Sequence, residues 1–91
     1  MSDKHHLHEQ LQELHRELHQ VESVDEHDRH LLQQLKEDIQ ALLAHPGEHD
    51  PPQYERLSAG LTEGIERFEA FHPRVTMFMG QIADTLAKMG I

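Results

Sequence analysis

The chain has 91 residues, enough for one domain with a modest core, and no cysteine, so neither a disulfide framework nor a thiolate metal site can form. With 17 acidic residues against 8 Lys and Arg, the formal charge of −9 repels nucleic-acid phosphates. No stretch approaches the roughly 20 apolar residues of a membrane span, and MSDKHHLHEQ holds no signal-like apolar run. The expectation is therefore a soluble cytoplasmic protein with no membrane or nucleic-acid partner.

The first segment, from about Lys4 to Val21, places Leu7, Leu11, Leu14, Leu18 and Val21 at spacings of four, three, four and three. That is an uninterrupted heptad seam on an otherwise polar helix. Ser23-Val-Asp-Glu26 then has the capping-box pattern, in which the Ser hydroxyl accepts a backbone N–H and Glu reaches back from three residues on. Asp25 and Glu26 also suit the positive end of a helix dipole. A second helix follows to about Ala44, seamed by Leu32, Leu35, Ile39 and Leu42; Leu31 and Leu43 widen the seam toward more than one neighbour. The short link between the two forces an antiparallel hairpin over residues 1–45.

HPGEHDPP marks the one clear loop, 46–52, because Pro46 and Gly47 end a helix and Pro51-Pro52 suits the start of another. From about Gln53, Tyr54, Leu57, Leu61, Ile65 and Phe68 share a face, with Phe71 near it. Gly60 and Gly64 lie beside this stripe, each costing ~1 kcal/mol of helix propensity. They read either as tolerated imperfections or as places where another helix backbone comes close. At His72-Pro73 the proline cannot donate to the helical ladder and disfavours the α conformation of the residue before it. The apolar period resumes at once through Val75, Phe78, Met79, Ile82, Leu86 and Met89. With no loop residues visible there, the pattern predicts a proline-kinked arm over 53–91, roughly 35 residues and about 50 Å long. At the end, Gly90 suits a left-handed C′ position with Ile91 folding back on Leu86.

The fold expected from these elements is all-α: a single domain over 1–91, an antiparallel hairpin followed by a bent long helix, bundle-like. A hairpin and an arm leave apolar faces uncovered, which points to completion by a homodimer. Met77, Phe78, Met79 and Met89 are the candidate extra burial, read as core ahead of an adaptable binding groove.

The chain holds 10 histidines, and full protonation would carry its charge to about +1, so a pH-responsive assembly is one reading and solvated surface polarity another. His8, His15 and His19 lie on the first helix roughly 100° from the leucines, with His5 and Glu22 on the same flank. His15, His19 and Glu22 are spaced i, i+4, i+7. Imidazoles one turn apart can chelate Zn²⁺, Ni²⁺ or Cu²⁺, so His8, His15, His19 and Glu22 are the candidate metal ligands. One helix face offers two or three ligands where a structural zinc site takes four. His27 and His30 sit near in sequence but point away from their own helix's seam. His15-Arg-Glu-Leu-His19 also sets its Glu one place later than the zinc-hydrolase HExxH requires. His5 lies one residue too far along for an amino-terminal copper site.

No nucleophile pairs with a base, no glycine-rich phosphate loop occurs, and aromatic residues are only 4% of the chain, too sparse for a base-stacking platform. The expectation is a protein that is not an enzyme.

"ERFEAFHPRVTMFMGQIADTLAKMGI", with its FE-x-x-HP, G-x-I-A-D-x-L and terminal MGI, resembles the ending of a bacterial family of small helical proteins of about this length, a domain of unknown function (DUF4404). "LHRELHQ" and "LLQQLKEDIQALL" are similar to that family's first two helices, so the likeness covers nearly the whole chain. It implies a small all-helical protein with no established activity and lends no catalytic residues. A link to chromosome partitioning would need a nucleotide-binding loop, which this sequence lacks. The functional expectation is a helical interaction and oligomerisation module, with a histidine-rich metal-binding or metal-buffering protein as the alternative.

Overall fold

A computed structural model describes residues 3–22, 25–45 and 51–90. They form four helices: α1 (Asp3–Leu18), α2 (Glu26–Ala44), α3 (Pro51–Phe68) and α4 (Pro73–Lys88). Each helix packs on two others in a ring, α1 on α2 and α4, α3 on α2 and α4. Opposed registers show that neighbours run antiparallel. Gln10 meets Thr85 across α1 and α4, His27 meets Glu63 across α2 and α3, and Gly64 meets Met79 across α3 and α4.

The heptad spacing becomes one core. Leu7, Leu11, Leu14 and Leu18 are buried, and Val21 packs partly against them. On α2, Leu31 and Leu32 are both buried with Leu35, Ile39 and Leu42, because this helix faces two neighbours. The α3 seam runs Tyr54, Leu57, Leu61, Gly64, Phe68; the buried position is Gly64, and Ile65 beside it is only half-buried. On α4 the buried set is Val75, Thr76, Met79, Ile82, Thr85 and Leu86. Thr85 brings a hydroxyl into this layer, 2.6 Å from Gln10 Oε1 and 3.1 Å from the Gln81 carbonyl, which marks the α1–α4 register.

The expected bent arm is replaced by a reversal. Helix α3 stops at Phe68, whose carbonyl accepts from the amides of Phe71 at 3.1 Å and His72 at 2.7 Å. His72 (φ −137°, ψ 67°) precedes α4, and Pro73 takes the first helical position, where its missing N–H is no loss. Four residues, Glu69 to His72, therefore make a full connection of the length helical bundles use. None of the four is Gly, Asn or Pro, so nothing in the text of the sequence separates them from helix. A continuous arm of about 50 Å would also exceed the molecule's longest extent, 38 Å.

Two local expectations change as well. The capping oxygen of α2 belongs to Asp25, whose carboxylate accepts from the Asp28 amide at 3.0 Å, so the helix starts two residues after the Ser23 pattern placed it. Ser23 itself, most of the 46–52 loop and Ile91 lie outside the described residues. Gly90 does adopt the left-handed conformation, at φ 82°. At the α3 glycines the close neighbours are side chains and not a backbone. A Cβ on Gly60 would stand 2.9 Å from Leu35 Cδ2, and one on Gly64 would stand 2.9 Å from Met79 Sδ and 3.0 Å from its Cε.

Arg67 ties the α2 N-terminus to the end of α3, since its guanidinium donates to Asp28 and lies 3.9 Å from Asp25. The Asp28 amide, followed by the nearby His27 amide, Arg67 and His27, holds the Asp25 carboxyl below its ordinary value against a smaller opposing desolvation.

Overfilling a packed core costs about 1–3 kcal/mol, against ~1 kcal/mol gained in helix propensity. Met79 is fully buried, so its Sδ and Cε must shift within the core to admit a methyl group. Gly64→Ala is thus expected to lower the urea midpoint, whereas Thr62→Ala on the exposed side of the same helix raises it slightly. For Asp25 the sign follows from the lowered pKa. Its stabilisation is complete above the unfolded value and is lost as pH falls through the folded one. Melting curves taken between about pH 5 and pH 2 should show a shallower acid loss for Asp25→Asn than for the parent protein.

Candidate functional site

The histidine face of α1 is built by the seam itself. Once Leu7, Leu11, Leu14 and Leu18 turn inward, the residues a quarter-turn away form the flank next to α2. His15 is half-buried on that flank and His19 is exposed in the turn that follows Leu18. Their ring centres are 4.5 Å apart, edge to face at 69°. His19 Nδ1 lies 2.7 Å from the His15 carbonyl oxygen. A carbonyl only accepts, so this contact places the proton on Nδ1 and leaves the Nε2 lone pair of His19 outward. The same bond satisfies one of the carbonyls that the end of α1 would otherwise leave open. Desolvation first, then the neighbouring His19 and Lys36 of α2, hold the His15 imidazole below its ordinary pKa.

The remaining candidates are placed elsewhere. His8 stands seven residues before His15 on the same helix, about 10 Å along the axis. Glu22 lies beyond the end of α1, after a tight turn in which the Gln20 amide donates to Glu17 and the Val21 amide to Leu18, so its i+7 relation to His15 is gone. His5 pairs with Glu9 at 3.0 Å, and His27 reaches Glu63 on α3 at 3.3 Å, while His30 is exposed on α2. Among the described residues, no three His, Asp or Glu side chains are grouped so as to hold one ion. The structure therefore brings together His15 and His19 out of the four.

A second surface feature lies on α4 and the turn before it. Among the described residues the exposed large hydrophobic side chains are Phe71, 80% exposed, and Met77, 53% exposed. Phe71 stands on the α3–α4 turn beside Val21, Pro73 and Val75. Met77 sits on the outer face of α4, one turn past Arg74, whose guanidinium pairs with the Glu17 carboxylate of α1 and lies 5.7 Å from the centre of the Phe78 ring. Met77 was grouped with core candidates, yet it falls about 160° from Val75 and Met79 on a helical projection. That angle was the available signal.

Among the described residues, no helix is long and apolar enough to cross a membrane. A family model described as Domain of unknown function (DUF4404) matches residues 7–91. No curated protein and no solved structure matches the chain.

Proposed function

Because the chain belongs to the DUF4404 family, whose description assigns no activity, we propose from its own surface that it is a small helical interaction module, non-catalytic and paired with a second copy of itself. The observation that carries this reading is the outward placement of Phe71 and Met77 on a bundle whose seams already close within one chain. Pairing is then a matter of surface recognition and not of completing a core. Burying a side chain of this size contributes about 1.5–3 kcal/mol. Two from each copy offset a substantial part of the association cost of about 4–15 kcal/mol, which suits a moderate affinity. A cytoplasmic setting belongs to the same proposal and is supported by the cysteine-free composition.

The second reading, transition-metal binding, is favoured by the hydrogen bond from His19 Nδ1 to the His15 carbonyl. It fixes the tautomer of one imidazole beside a second imidazole whose ring centre is 4.5 Å away. The pair suits Zn²⁺, Ni²⁺ or Cu²⁺.

Sedimentation equilibrium of untagged protein in EDTA is expected to give about twice the 10.6 kDa chain mass at micromolar concentration. Phe71→Ser with Met77→Ser should return it to one chain, and a monomer throughout the micromolar range for the parent protein overturns the pairing. Calorimetric titration with Ni²⁺ should give a saturable isotherm that disappears in His15→Ala/His19→Ala. An isotherm unchanged by that double substitution overturns the metal reading.

A further inference from the structure

The His15–His19 pair is half of a coordination shell. Zn²⁺ in a closed protein site takes four ligands in a tetrahedron, with imidazole nitrogen at 2.0–2.1 Å, which puts the ring centres of two bound imidazoles roughly 5 Å apart. The ring centres here stand 4.5 Å apart, edge to face at 69°, close to that spacing. The hydrogen bond from His19 Nδ1 to a carbonyl oxygen is the kind of outer contact that fixes the tautomer and orientation of zinc-binding histidines. Both the geometry of the pair and its supporting bond thus point to a ligand held outside the helix.

Among the described residues, nothing further is supplied at this place. No third His, Asp or Glu among the described residues converges on the pair. Glu22 has left the helix, His8 is two turns away, and His27 is directed to Glu63. The missing donors come from outside the chain, and a second copy provides the same two nitrogens by symmetry. An isologous contact between α1 flanks sets two pairs around one axis and completes four-nitrogen coordination without an open position. The ion's two positive charges also reduce the repulsion between two chains that each carry −9.

We infer that the α1 flank is a metal-bridged contact in which His15 and His19 of two copies bind a single Zn²⁺. This rests on the metal reading above and is independent of the Phe71–Met77 surface.

The test uses untagged full-length chain, with Zn²⁺ as the probe, and compares sedimentation mass and bound metal against the same sample in EDTA. The expected result is a twofold rise in mass on adding Zn²⁺, one zinc per two chains, reversal by EDTA, and loss of the rise in His15→Ala/His19→Ala. His19→Ala alone removes an exposed side chain and should also abolish the rise, with helicity unchanged by circular dichroism; His30→Ala should retain it. One zinc per chain with no change in mass, sensitive to the double substitution, overturns the bridge and leaves the metal reading standing. No saturable zinc binding overturns both.

Discussion

The bundle depends on the end of α3. Pro73 has no N–H to give to the carbonyl four residues back, and its ring keeps His72 out of the α conformation. The chain therefore leaves the helix at Phe68, and Pro73 becomes the first residue of the next one, where both defects are harmless. Reversal at this point lays α4 between α3 and α1. It brings Met79 over the bare backbone of Gly64, Thr85 to Gln10 and Arg74 to Glu17. A kinked continuation would have left the seams of α1 and α4 facing water.

The seams themselves were legible, because a heptad spacing of leucines leaves little choice about which side of a helix is buried. Leu31 and Leu43, widening the α2 seam, announce more than one neighbour, and Leu31 is buried while Leu43 packs partly against the core. What was not legible lay where a residue's role is set by its partner. Glu69 to His72 read as helix because they carry no turn residue; the proline that forbids helix acts on them from outside the stretch. Gly64 looked like a neighbour of the apolar stripe, yet it occupies a stripe position, with the missing side chain replaced by Met79 from another helix. The capping oxygen of α2 was assigned to Ser23 by pattern, when Asp25 stands closer to a helix end that Arg67 also anchors.

The histidine stripe was half legible for a related reason. Periodicity located the face correctly, since i and i+4 positions share one side of any helix. It overstated the site, because Glu22 belongs to that side only if α1 continues for another turn, and α1 ends at Leu18. The hydrogen bond from His19 to the His15 carbonyl is specific to that ending, since it forms where the helical ladder runs out of amides.

The ring order has a consequence for the way the protein assembles and breathes. Three of its four helix contacts join elements adjacent along the chain; the fourth, α1 on α4, joins the two terminal helices. Local contacts carry little loop-closure entropy, so α1–α2, α2–α3 and α3–α4 are cheap to nucleate, and the α1–α4 closure is the slow, entropically expensive one. Its polar ties, Thr85 to Gln10 and Arg74 to Glu17, accordingly act as latches on the ring. The histidine face therefore rides on a helix that also forms the ring's one non-local closure.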